Sequence, residues 1–386
     1  MPYAEGRTYY DADSHIMELP DFIIDHADED FRARAPKIPV PTRGTLANLM
    51  EEARDRGGHP EGVVAELVAL GDNLITGPKG YQALGAFNAA ERSQALDQLG
   101  FAKQLVFATF SAGTAFRSEA SIPDRYAAAH AHNKGMAAFC KADKRLMGVG
   151  LVPLDDPDRA MAELDHALSL GLKAIWVPHR PAGGRSPGHD DLDPFWSMLE
   201  DAGVPFMLHV GGDPLQIDPA WMNTGRPVPT DWLGGGENVR GKDMTSLHHH
   251  AETFVSCMVL DGVFDRHRRL RGGVIELGAG WVPGMIRRLD WAADIWKKSE
   301  PELAALTRKP SEQIIEHLAF TPYVYEDVGA MIRESDSRLY MFSSDYPHTE
   351  GGRAPLARFA ASLDGMDEDT KERFYSGNFA RLFEAA

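Results

Sequence analysis

A (β/α)8 barrel is the fold this sequence predicts, on three observations. Eight short apolar segments alternate with helix-like stretches along the 386 residues, the repeat of such a barrel. The segments are rich in β-branched and aliphatic residues with little polar alternation, as in parallel strands buried on both faces. No glycine-rich dinucleotide turn follows the first of them, which disfavours the runner-up, a doubly wound sheet.

In order, the predicted strands are residues 7–13, 104–110, 147–154, 173–178, 205–210, 273–277, 317–325 (the weakest) and 339–344. Between them, residues 124–143 form an alanine-rich helix, and 156–170 open on Asp-Pro and close at Gly171, a start and a stop for a helix. Helical patterns follow over 193–202, 248–268, 281–298 and 353–363, with a terminal helix over 367–384. The whole chain, 1–386, reads as one barrel domain with two long insertions. Residues 28–100 are a helical insertion, with a helix-like piece at 45–71 and a Gly/Pro-rich run at 71–80. Residues 211–247 are long enough to be a functional loop, and Trp221 and Trp232 suit a lid that packs against something.

Composition narrows the function. Hydrophobic residues make up 43% and charged residues 25%, ordinary for a globular chain. A net charge of −17 excludes nucleic acid and anionic membrane surfaces as natural partners, so a small molecule is expected, and an anionic one needs local cations. Two cysteines, Cys140 and Cys257, fit a reducing compartment without disulfides. With no signal-peptide pattern and no apolar run of membrane length, a cytoplasmic protein is expected.

In such barrels functional groups sit at the C-terminal ends of strands. Strand one ends in Asp13 and His15, strand four in His179 and Arg180, strand five in His209, strand six in Glu276, and strand eight in Asp345 with His348 beyond. Asp11, Asp13 and His15, two apart in a strand, share one side. A carboxylate and an imidazole on one point begin a divalent-metal site. His209 closes an apolar run followed by glycines that admit a ligand, so Asp13, His15, His209 and Asp345 form a ligand set drawn from strands one, five and eight. Singly, each has a plainer role, a structural histidine or a turn-building aspartate; together they point to a metal.

The segments DADSHIMELP, LKAIWVPHRP, DPFWSMLEDAGVPFMLHVGG, GVFDRHRRLRGGVIELGAGWVP and FSSDYPHTEG resemble, in order and over most of residues 8–350, the amidohydrolase superfamily. The similarity is to its amidohydrolase 2 group, which includes aminocarboxymuconate semialdehyde decarboxylase and γ-resorcylate decarboxylase. The resemblance implies one divalent ion, zinc or manganese, on Asp13, His15, His209 and Asp345. It also exposes a departure: well-studied members carry a histidine at the end of strand six, where Glu276 stands here. Glu276 can serve as general acid or base if burial or a like charge raises its pKa, or it can ligate metal.

Among His248, His249 and His250, which precede a helix, His250 is the one expected to face the site. Bridged dinuclear members use a carboxylated lysine at the end of strand four, but Lys173 lies at its start, against that type. An iron ion, or a second metal shared by Glu276 and one of these histidines, stays open. His179, Arg180, Arg185, His348 and Trp232 are the expected substrate contacts, a bidentate arginine being suited to a carboxylate.

The favoured function is metal-dependent decarboxylation of a small carboxylated cyclic or unsaturated compound, with Glu276, Asp345 and His250 as catalytic groups. Metal-dependent hydrolysis of an amide, ester or lactone is the alternative; a dinuclear iron or manganese oxygenase and a non-catalytic barrel rank lower. A homodimer is expected.

Overall fold

The structure, a computed structural model, describes residues 2–38, 45–116, 120–212, 217–227 and 239–383. Its sheet is parallel throughout. The first barrel position is split into two short pieces, β1 (Tyr10–Asp11) and β2 (His15–Ile16), which both pair with β3 (Lys103–Ala108). The order continues through β4 (Leu146–Leu151), β5 (Ala174–Trp176), β6 (Phe206–His209), β7 (Gly272–Ile275) and β8 (Leu318–Phe320), each pairing with the next.

The eighth predicted strand, 339–344, is extended but makes no continuous ladder, because Phe342 N donates to Phe374 O of the C-terminal helical region. It closes the barrel nonetheless. Met341 N donates to Phe320 O on one side, while Ala12 N donates to Phe342 O and His15 N to Tyr346 O on the other.

Strand alternation explains the two cores. Leu105, Phe107, Val149, Leu151, Ala174, Trp176, Met207, Ile275, Ala319 and Met341 pack together, the interleaved layers that fill a barrel. Their neighbours Val106, Ile175, Phe206, Leu208, Val274 and Phe320 face the surrounding helices. His209 keeps the inward parity of Met207 one step nearer the C-terminal rim.

The helices fall close to the predicted spans. Asp156 caps Pro157–Ser169 by accepting from Arg159 N, and Ser121 caps Ile122–Cys140. The pattern at 248–268 divides into His249–Leu260 and Val263–Arg266, broken at Gly262, whose φ of 69° a side-chain-bearing residue rarely adopts. The terminal pattern divides into Glu368–Glu372, a π-turn Arg373–Gly377 and Asn378–Phe383.

The first insertion is helical, with Thr45–Arg56, Glu61–Val68 and Ala89–Leu99, and its last third is bonded to the barrel mouth. Tyr81 Oη donates to Glu18 O, Tyr346 Oη to Leu84 O, and Gly80 N to Pro347 O. The fully buried Arg92 donates to Gly85 O, to Gln104 Oε1 and to His15 O. At Gly85 a Cβ would meet the Arg92 backbone at 2.3 Å, so only glycine fits there. Much of 211–247 lies outside the described residues; Trp221 is exposed. Among the described residues no helix is long and apolar enough to cross a membrane.

Candidate metal centre

Six side chains from the start, middle and end of the chain meet at the C-terminal rim. His15 comes from β2, His209 ends β6, Glu276 follows β7, and Asp345 and His348 follow the closing segment. Asp13 lies where the first strand is interrupted, between β1 and β2.

The spacings are those of a ligand shell. His15 Nε2 and His209 Nε2 each stand 3.3 Å from Asp13 Oδ1, and His209 Nε2 is 3.4 Å from Glu276 Oε2. His15 Nε2 lies 3.5 Å from Asp345 Oδ1 and 3.8 Å from Glu276 Oε2. Ligand atoms held at about 2.0–2.1 Å around a tetrahedral ion stand roughly 3.3–3.4 Å apart.

Both histidines are set for metal. His15 Nδ1 lies 3.0 Å from Ala108 O, and His209 Nδ1 lies 2.8 Å from Val210 O. A carbonyl can only accept, so each Nδ1 carries the proton and each Nε2 turns its lone pair to the centre. Burial, then the charge of His348, lowers His15 to about 3, so its ring is neutral. His15 Nε2 and both Asp345 carboxylate oxygens are buried without a hydrogen bond, the condition a cation would relieve. Burial also raises Asp345 to about 6, as it does any carboxylate kept from water without a full counter-charge.

The backbone contributes as well. Glu276 and Asp345 both have φ of 53°, a left-handed conformation that costs a side-chain-bearing residue about 1–2 kcal/mol. Hydrogen bonds hold both turns: Glu276 N donates to Thr321 Oγ1, Tyr323 Oη donates to Glu276 O, and Asp345 N donates to Asp13 O. The turns aim both carboxylates inward, where an extended strand would have carried them onward.

Asp11 does not join the shell. Ala12 takes the barrel-facing position, and the break between β1 and β2 re-aims Asp13 and His15 without moving Asp11. Asp11 instead accepts from Gln104 Nε2, Ser344 N and Ser344 Oγ at 2.7–2.8 Å, clasping the first and last barrel segments, and burial raises it to about 7.

The expected substrate and catalytic contacts divide. His348 lies inside the cluster: Nδ1 is 3.1 Å from Asp345 Oδ1, Nε2 is 3.0 Å from Thr109 Oγ1, and its ring stacks on His15 at 3.9 Å. His179 is buried at the rim, where a Cβ on Gly212 would meet its Nδ1 and Trp176 Nε1 at 2.8 Å. Arg180 is committed elsewhere, donating to both Asp155 oxygens at 2.9 Å and to Phe116 O. Arg185 pairs with Asp191 at 2.9 Å. His250 sits half-buried at the start of His249–Leu260 and is not in the ligand group; His248 stacks on Trp281. Trp232 lies outside the described residues. Lys173 is exposed at the opposite end of β5.

Sequence reasoning missed Lys79. The insertion brings it to the rim, where its Nζ lies 5.6 Å over the Tyr346 ring, buried without a hydrogen bond although the residue is partly exposed. A lysine normally does the reverse, burying its stem and wetting its ammonium. Burial lowers its pKa, against the attraction of Asp345. The sole hint in the sequence is its place in a Gly-Pro-Lys-Gly turn, 77–80.

Comparison with known proteins agrees with this architecture. The amidohydrolase family model matches residues 81–385, which include His209, Glu276, Asp345 and His348; Asp13 and His15 precede the match. The gamma-resorcylate decarboxylase of Rhodococcus jostii (strain RHA1) is 29% identical over 263 residues, 64% of this chain and 75% of that protein. An amidohydrolase from Mycobacterium avium subsp. paratuberculosis K-10 superposes with a TM-score of 0.75 at 23% identity, over 99% of this chain and 100% of that one. A dihydroxybenzoic acid decarboxylase from Polaromonas sp. JS666, solved with bound manganese and the inhibitor 2-nitroresorcinol, superposes with a TM-score of 0.61 at 18% identity, over 98% of this chain and 97% of that one. With nearly four-fifths of its length matched by the family model and a barrel of this form around the cluster, the chain belongs to the amidohydrolase family.

Proposed function

We propose that this protein is a divalent-metal-dependent carboxy-lyase acting on a small aromatic carboxylic acid of the hydroxybenzoate type. One observation carries the reading: Asp13, His15, His209 and Asp345 converge at ligand spacing with both imidazole tautomers fixed toward the centre. Glu276 joins them as a further ligand. The similarity to γ-resorcylate decarboxylases supports the choice of reaction.

The donor set suits one ion. Two candidate groups, Asp13–His15–His209–Glu276 and His15–Glu276–Asp345–His348, overlap at His15 and Glu276. An imidazole whose Nδ1 is bound to a carbonyl has one lone pair to give, so His15 serves a single metal. Three carboxylates with histidines suit manganese or zinc, and manganese is the ion in the Polaromonas structure. A bound divalent ion supplies Lewis acidity toward the substrate's oxygens.

The chain's own residues do the rest. Lys79 offers the local cation that a carboxylated substrate needs inside an acidic protein, a role Arg180 and Arg185 cannot take while paired. Asp345, buried at the centre beside His348, delivers the proton to the ring carbon that loses CO2. His348, between Thr109 Oγ1 and Asp345 Oδ1, restores that proton. Phe107 and Trp176, with ring centroids 4.5 and 4.8 Å from His209, wall the centre off from water.

The test is CO2 release from 2,6-dihydroxybenzoate and related acids by protein of known metal content. Chelator-stripped enzyme loses activity and regains it with one equivalent of Mn2+ or Zn2+. Asp345→Asn, which keeps the left-handed turn because asparagine tolerates it, loses at least about 100-fold. Full activity in either sample overturns the reading. Glu276 also favours a second reading: a carboxylate base suits water attack on an ester or lactone, and hydrolysis without CO2 release would replace decarboxylation.

A further inference from the structure

On the outside of the barrel, far along the chain from any ligand above, a second group of metal-type side chains stands between two helices. His130 and Asn133 belong to Ile122–Cys140; Glu163 and His166, one turn apart, belong to Pro157–Ser169. One ligand atom from each of His130, Glu163 and His166 lies within 4.8 Å of the other two.

This set is built. Glu163 is buried, and Asn133 Nδ2 donates to its Oε1 at 2.7 Å. Asn133 is itself fixed, accepting from Leu151 N at 2.7 Å and donating to Leu151 O at 3.0 Å. The other carboxylate oxygen, Oε2, lies 2.9 Å from His130 Nδ1. The His130 and His166 rings stack, with centroids 3.8 Å apart and planes 20° apart. His166 Nε2 is buried with no hydrogen-bond partner. At the outer edge Asp28 Oδ2 stands 3.3 Å from His130 Nε2, and Lys134 Nζ bonds the other Asp28 oxygen at 2.7 Å.

A purely structural His–Glu pair explains one imidazole and leaves the other unexplained. Two imidazoles stacked face to face, one with a buried nitrogen that bonds nothing, are an unfavourable arrangement, costing about 1–3 kcal/mol for the unmet group. We propose that His130, Glu163 and His166 form a peripheral divalent-cation site, suited to Zn2+ or another borderline metal that prefers imidazole with a carboxylate. A tetrahedral ion needs its ligands roughly 3.3–3.4 Å apart, so the set closes by at most about 1.5 Å, within the reach of side-chain rotation. Metal replaces the proton now shared by His130 and Glu163, and Asn133 orients the carboxylate from behind as an outer partner of a metal ligand does. Bound there, the ion adds a cross-link between two barrel helices already joined by the Asn133–Glu163 and His130–Glu163 hydrogen bonds.

The experiment uses tag-free full-length protein, stripped and then titrated with Zn2+, with bound metal counted after desalting. His166→Phe preserves the ring stack and removes the ligand; Glu163→Gln preserves volume and the Asn133 contact. Wild type binds one equivalent more than either variant, whatever the barrel centre holds, and Zn2+ raises the Tm of wild type more than that of His166→Phe. Neither variant changes CO2 release by enzyme reloaded with one equivalent at the barrel centre, because the site is remote from the chemistry. Equal stoichiometry in wild type and both variants overturns the proposal. Should His166→Phe fold poorly, Glu163→Gln alone decides, since loss of one equivalent supports the site and retention refutes it.

Discussion

Replacing Lys79 by methionine separates the substrate contact from the stability of the barrel. In the free protein the Lys79 ammonium is buried, bonds nothing and has its pKa lowered by burial, so it is a net cost to the fold. Lys79→Met keeps the length of the apolar stem and removes that cost, and Tm holds or rises. In the proposed complex the same ammonium meets the substrate carboxylate. A hydrogen bond to a charged group contributes about 1.5–3 kcal/mol, so KM for a hydroxybenzoate rises by about 10- to 150-fold at 1.4 kcal/mol per decade. The assay is steady-state CO2 release with thermal unfolding of the same sample, and binding of a phenol lacking the carboxylate serves as control. The phenol should bind the variant as it binds wild type. Unchanged KM, or a lowered Tm with phenol binding lost in parallel, would refute the assignment and return Lys79 to a structural role.

Two further outcomes follow from the backbone and from titration. At φ of 53°, glycine is the relaxed residue, so Glu276→Gly is more stable than Glu276→Ala by about 1 kcal/mol, the reverse of the usual order, while both lose activity; equal Tm values would show that the turn carries no strain. His59 lies with Nδ1 2.6 Å from Glu91 Oε2 and Nε2 2.8 Å from Tyr81 O, and these bonds outweigh burial to raise its pKa. A histidine raised on folding stabilises most below its unfolded value near 6.5 and loses that contribution as pH climbs through the raised value. Proteolysis of the 45–100 insertion therefore quickens from neutral to mildly alkaline pH in wild type and loses that dependence in His59→Gln; a flat profile in wild type contradicts it.

The barrel was legible because its signal is local. A run such as 205–210 is buried on both faces wherever it sits, and a histidine at its end can only lie at the rim. That logic brings Asp13, His15, His209, Glu276 and Asp345 together without tertiary information. It fails for Asp11, because it assumes an unbroken first strand, whereas Asp11 is held by partners 93 and 333 residues away, Gln104 and Ser344. It fails for Arg180 because a strand-end arginine reads alike whether it faces substrate or Asp155. Lys79 was illegible for a third reason: its insertion has no barrel repeat to set its position, and long-range bonds such as Gly80 N on Pro347 O, Tyr81 Oη on Glu18 O and Tyr346 Oη on Leu84 O bring it to the rim.

The cluster draws on residue 13 at one end of the chain and residue 345 at the other, and Ser14 bridges directly to Tyr346. A nascent chain thus owns no working centre until residues 345–348 have emerged and docked against the first strand segments. Half-made or clipped copies would be inert toward substrate rather than sluggish, and an ion seated across that join acts as a latch, so that stripping it should loosen the barrel first where its two ends meet.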